Sequence, residues 1–133
     1  MQFDELSTKV LGCAIMVHRE LGPGLLESAY ERCLMYELKA SGLEVAQQVK
    51  IDLRYKELFV PCAYRADIIV AAKLLLEIKC VDSFTSQHSA QILTHLKLTK
   101  LEVGLLLNFN LPTLRQGVRR FVLSNPPASR ISA

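Results

Sequence analysis

The segment from Tyr64 to Cys80, YRADIIVAAKLLLEIKC, constrains the fold more than any other stretch of the chain. It reads as two apolar strands joined by a short turn, interrupted by Asp67, Glu77 and Lys79. Side chains alternate across a strand. In the first arm Ala66, Ile68 and Val70 share one face, and Arg65, Asp67 and Ile69 the other. In the second arm Leu74, Leu76 and Ile78 lie opposite Leu75, Glu77 and Lys79. The two all-apolar sets belong on the same side of the sheet. That requires an odd loop, most simply Ala71-Ala72-Lys73, with Val70 facing Leu74. The same register sets Asp67 across from Glu77, with Lys79 on their face. A slip of one residue breaks both arrangements at once.

Two carboxylates facing each other across a strand pair repel. Lys79 offsets part of that repulsion, and a divalent cation offsets more. Mg²⁺ prefers one or two carboxylates completed by water and substrate phosphate oxygens. A lysine beside such a site can steady developing negative charge or position the attacking water. The plain alternative is a solvated Asp–Glu–Lys cluster on a sheet surface. Apolar Ile69 and Leu75 on the same face weigh against it.

The remaining pattern places the hairpin in an α/β chain. Leu6, Val10, Cys13, Ala14, Val17 and Leu21 recur at helical spacing and predict a helix over 4–20. LGPG at 21–24 ends it. A second helix is predicted over 25–41, with Leu26, Tyr30, Cys33, Leu34 and Leu38 inward and Gly42 as its cap. Strands follow over 43–55, 59–70 and 73–80, joined first by a turn near Lys56-Glu57-Leu58, with Pro61 bending the middle one. A helix over 83–100 turns Ala90, Ile92, Leu93 and Leu96 inward. EVGLLLNF at 102–109 reads as a strand covered on both faces, and GVRRFVL at 117–123 as an edge strand. The order α-α-β-β-β-α-β(-β) implies a mixed sheet, since a strand reached through a helical crossover pairs in parallel. Residues 1–123 read as a single domain and 124–133, rich in Pro and Ser, as a flexible tail.

The chain has 133 residues, half of them hydrophobic, and a net charge of +3. Such a length supports one core. The mild basicity permits a polyanionic partner without demanding one. Cys13, Cys33, Cys62 and Cys80 form no CxxC pair, which speaks against structural zinc. They sit in apolar runs and read as reduced, buried thiols of a cytoplasmic protein. The N-terminus lacks a signal-peptide pattern, and no apolar stretch approaches the ~20 residues of a membrane span.

Asp67 followed on the next strand by Glu77-Ile78-Lys79 resembles the PD-(D/E)xK nuclease signature. GLLESAY at 24–30 matches GxxExxY through Gly24, Glu27 and Tyr30. From about Leu6 to Leu123, including YRADIIV, LLLEIK, HSAQILTHLKLT and VGLLLNF, the chain is similar to the GxxExxY protein family, a branch of that superfamily. The resemblance implies a restriction-endonuclease-like α-β-β-β-α-β core. It implies Mg²⁺ or Mn²⁺ bound by Asp67, Glu77 and the Ile78 carbonyl, with Lys79 orienting water. Glu27 becomes an extra acid near the metal, and Gln91 a polar catalytic position on the following helix. Ala66 stands where the family's proline is. His95 stands where relatives often carry the tyrosine of QxxxY.

Among the other polar residues, His88, Gln91 and His95 form one helical ridge, read either as solvated or as contacting substrate. Glu27 also suits a first-turn acid on the helix dipole. Arg65, His88 and His95 are the candidate substrate contacts. The leading expectation is a metal-dependent nuclease cleaving nucleic-acid phosphodiesters, DNA favoured, with phosphate contacts supplying affinity. The alternative is a non-catalytic nucleic-acid- or protein-binding module on the same fold. A homo-oligomer is left open by the sequence, and a subunit built for a homodimer interface is the weakest reading.

Overall fold

Asp4 starts the first helix by accepting the Ser7 N–H at 2.7 Å, which satisfies one of the orphan donors of a helix N-terminus. In the computed structural model, which describes residues 3–123, α1 then runs Glu5–Leu21 and α2 Glu27–Ala40. The strands and the third helix follow as β1 Val45–Tyr55, β2 Leu58–Val70, β3 Leu74–Lys79, α3 Ser86–Thr99, β4 Val103–Asn108 and β5 Val118–Val122. A 3-10 turn over Leu114–Gly117, not expected from the sequence, leads into β5. The tail expected over 124–133 lies outside the described residues. Among the described residues no helix is long and apolar enough to cross a membrane.

The sheet order is β1-β2-β3-β4-β5. Among the described residues only β3 and β4 pair in parallel, and α3 is the crossover between them. The α/β mixed sheet and the element order are those the hydrophobic pattern implied. Val70 pairs with Leu74 across the loop Ala71–Lys73, as the alternation required. That loop holds Ala71 and Ala72 at φ +53° and +54°. Schellman geometry closes α2: the Leu43 N–H donates to Leu38 O and the Gly42 N–H to Lys39 O, with Gly42 at φ +82°.

Two apolar clusters sandwich the sheet. On one side Val10, Ala14 and Val17 of α1 and Tyr30, Leu34 and Leu38 of α2 meet Ile68, Leu76, Ile78, Leu105 and Leu107. On the other, Ile92, Leu96 and Leu98 of α3 meet Ile51, Ala66, Leu75 and Leu106. β4 is therefore covered on both faces. Several expected orientations fail. Leu26, which caps α2 from outside the helix, and Cys33 within it are exposed, as is Ala90 of α3, because each helix meets the sheet along a narrower stripe than its apolar residues suggest. Of the four free cysteines only Cys13 is buried. Pro61 lies within β2 next to Cys62, whose φ is +54°, and the β1–β2 register shifts between Ile51 and Leu53. The strand bends there without ending.

Asn108, at the end of β4, ties that strand to the segment after β3. Its Oδ1 accepts the Val81 N–H at 3.1 Å, and its Nδ2 donates to Val81 O at 2.8 Å. A Cβ on Gly117 would fall 2.4 Å from Asn108 O. Gly117→Ala is expected to cost about 2 kcal/mol by overpacking this junction, measured by urea denaturation.

Candidate active site

The β2–β3 ladder stops at Ile68 and Leu76, one pair short of Asp67 and Glu77. Beyond that point the carboxylates take over as acceptors. The Asp67 N–H donates to Glu77 Oε2 at 3.0 Å, and the Ile78 N–H donates to Asp67 Oδ2 at 2.8 Å. The Ile78 carbonyl points to the same edge as its N–H, into the gap where the strands part. Lys79 turns the other way in the ladder: its carbonyl accepts the Phe109 N–H at 2.9 Å. Two carboxylates and one carbonyl thus converge at the carboxyl end of β3.

β1 has a backbone kink beside the point where the strands part. Gln48 has φ +52° and lies where Asp67 would be its partner, between the pairs Gln47–Ile68 and Val49–Ala66. The alternation reverses at this point. Ile68 packs under α1 and α2, whereas Ala66 packs under α3. The expected common face of Ala66, Ile68 and Val70 is therefore wrong, and so is that of Arg65, Asp67 and Ile69. The kink inserts a face change that strict period-two alternation does not contain. Glu31 of α2, only 7 % exposed, holds it. Gln47 Nε2 donates to Glu31 Oε2 at 2.6 Å, and Gln48 Nε2 reaches both Glu31 oxygens at 2.8 and 3.0 Å.

Burial, then the Glu77 charge, pushes the Asp67 carboxyl up to about 7, with Glu31 adding to the rise and Lys79 opposing it. Glu77 is buried on the α3 side, where His95 Nδ1 lies 2.5 Å from its Oε1. Tyr64 meets the His95 ring edge-on at 5.6 Å. Lys79 reaches Gln91, Nζ to Oε1, at 3.4 Å. Both border an open cleft of about 490 Å³ whose wall also includes Tyr64, Gln87 and His88. Two hard, partly desolvated carboxylates beside a carbonyl fit a divalent cation that keeps several sites for water and phosphate. Among the described residues no group of three or more His, Cys, Asp or Glu side chains is placed to hold a metal ion.

A sequence model of the PD-(D/E)XK nuclease superfamily matches residues 4–121. The chain belongs to the PD-(D/E)XK nuclease superfamily. Its members are nucleases, act on nucleic acid and typically use divalent metal ions. No curated protein and no solved structure matches the chain.

Within this superfamily fold, Asp67, Glu77, Ile78, Lys79, Gln91 and His95 come together. Glu27 is exposed at the start of α2, and its charge adds to burial in pushing the Cys80 thiol up to about 11, which sets it near the end of β3. His88 lines the cleft, but its Nδ1 accepts the Thr85 N–H at 3.1 Å as part of the α3 capping box. Arg65 alternates away from Tyr64 and Ala66 onto the sheet face opposite α3, apart from the cleft. His95, expected on a polar ridge facing substrate, is 2 % exposed and bonded to Glu77. Glu31, Gln47 and Gln48 escaped the sequence reading. Glu31 stands one turn after Glu27 on the same helical face, the one local signal that pointed to it.

Proposed function

We propose that the chain is a Mg²⁺- or Mn²⁺-dependent nuclease that hydrolyses nucleic-acid phosphodiester bonds, with DNA favoured, and a member of the GxxExxY branch through Gly24, Glu27 and Tyr30. The observation that carries this reading is the convergence of Asp67, Glu77 and the Ile78 carbonyl where β2 and β3 part. These three groups would hold the metal. A bound divalent cation would neutralise the paired carboxylates and polarise the scissile phosphate.

The chain's own side chains do the rest. Lys79 Nζ, steadied by Gln91 Oε1, directs an ammonium into the cleft. There it holds the attacking water and balances charge on the phosphate oxygens. His95 acts through Glu77: its Nδ1 fixes one carboxylate oxygen and leaves the other turned toward Asp67. Glu27 extends the acidic rim. His88, which lines the cleft, would meet a phosphate beside the scissile one.

Lys79→Ala is expected to lower kcat about 100- to 1000-fold, as removal of one charge-stabilising donor does elsewhere. The check is hydrolysis of single- and double-stranded DNA and RNA in Mg²⁺ and in Mn²⁺, wild type beside variant. Equal rates for the two proteins would reject the assignment of Lys79. Absence of wild-type cleavage on every substrate would leave the non-catalytic binding module.

A further inference from the structure

The β1–β2 pair overruns the rest of the sheet. It pairs as far as Tyr55 and Leu58, whereas β3 joins β2 only at Ile68–Val70. From Ala66 to Leu58 is eight residues, about 26 Å at ~3.3 Å each. This ribbon springs from the point where Asp67 and Glu77 converge. α3 covers one face of its base through Ile51 and Ala66.

The opposite face is basic and aromatic. Lys50 pairs directly across from Arg65, and Arg54 across from Phe59. Like charges facing each other across strands destabilise a sheet, and among the described residues neither cation forms an ion pair. The Arg54 guanidinium lies 5.4 Å from the Phe59 ring centre, and Lys56 at the tip 5.3 Å from that of Tyr55. Phe59 on this face is 49 % exposed, while Tyr55 and Leu58, one pair further on, alternate to the other face and are 60 and 59 % exposed. Of the two acids between 50 and 65, Asp52 is already engaged, its Oδ1 accepting the Cys62 N–H at 2.8 Å.

We infer that this ribbon is a DNA-gripping arm, whose Lys50, Arg54 and Arg65 face rests on the phosphates flanking the major groove of duplex DNA. A polyanion relieves the Lys50–Arg65 repulsion, which no ion pair among the described residues offsets. The shape selects the polyanion. The major groove of B-form DNA, ~12 Å wide, admits a two-stranded ribbon, whereas the deep, narrow groove of duplex RNA does not. This inference rests on the nuclease reading only for the identity of the substrate, since the arm binds DNA whether or not the site cleaves it.

The experiment is fluorescence-anisotropy titration of labelled duplex DNA with the full chain in EDTA, over a series of salt concentrations. Each phosphate contact contributes about 0.9 to the slope of log K against log salt. The variant Lys50→Gln/Arg54→Gln/Arg65→Gln is expected to lower the slope by about 2–3 and to weaken binding at least tenfold. A control removes the same charge at the other end of the sheet, through Lys9→Gln/Lys73→Gln/Lys100→Gln around the cavity beside the 71–73 loop. It is expected to keep the wild-type slope. Duplex RNA is expected to bind at least tenfold more weakly than DNA. An unchanged slope in the ribbon variant, an equal drop in the control, or equal affinity for duplex RNA would overturn the inference. Ribbon-dependent binding without wild-type cleavage would keep the arm and reject the nuclease. Cleavage with ribbon-independent binding would do the reverse.

Discussion

Asp67→Asn is expected to abolish cleavage while making the metal-free protein more stable near neutral pH. Folding lifts the Asp67 carboxyl from 3.8 to about 7, first by burial and then by Glu77. An acid whose pKa rises on folding costs nothing below its unfolded pKa. Its penalty grows as pH climbs from about 4 and is complete above about 7. A shift of this size corresponds to roughly 4 kcal/mol, which partial solvent exposure trims to about 3 kcal/mol. Asparagine keeps an acceptor for the Ile78 N–H and removes the charge. In EDTA at pH 7 to 8 the variant should therefore melt about 10 °C above wild type. At pH 4 the two should melt together. Mn²⁺ should raise the wild-type melting temperature and leave the variant unmoved, because a ligand stabilises the state that binds it. A variant less stable than wild type at pH 8 in EDTA would contradict the electrostatic account of the site.

Glu31→Ala is expected to reduce kcat about 100-fold at a stability cost of about 1–2 kcal/mol. Glu31 does not reach the cleft. It holds Gln47 and Gln48, and Gln48 sits at φ +52°, a conformation that costs an ordinary residue about 1–2 kcal/mol. Without the carboxylate the kink relaxes and Asp67 loses its aim, and a displacement near 1 Å suffices for a hundredfold loss. Glycine adopts positive φ freely. Adding Gln48→Gly to Glu31→Ala should therefore restore much of the lost kcat, with KM little changed throughout. A merely structural role for Glu31 would give no such rescue. The readout is steady-state cleavage, with circular dichroism to verify folding.

The sequence made some of this legible and hid the rest for physical reasons. The hairpin register was readable because both apolar sets belong on one side, and Val70 indeed pairs with Leu74. The double coverage of β4 followed from its unbroken apolar run. The face change at Asp67 was hidden, because it depends on positive φ at Gln48, where no glycine marks it. Glu31 was hidden because its partners lie 16 and 17 residues away on a strand. His95 looked solvent-facing from its spacing with His88 and Gln91. Its burial is decided by Glu77, which offers a buried partner that helical periodicity does not reveal. Leu26 and Cys33 looked inward by spacing, but neither lies on the stripe of α2 that meets the sheet.

The central claim is that Asp67, Glu77 and the Ile78 carbonyl form one metal site. Anomalous diffraction from crystals soaked in Mn²⁺ tests it most directly. The account predicts a single strong peak in the gap between β2 and β3, within bonding distance of both carboxylates and the carbonyl, and no peak there in Asp67→Asn. A peak elsewhere on the chain, or none at that gap while the wild type still cleaves DNA, would contradict it.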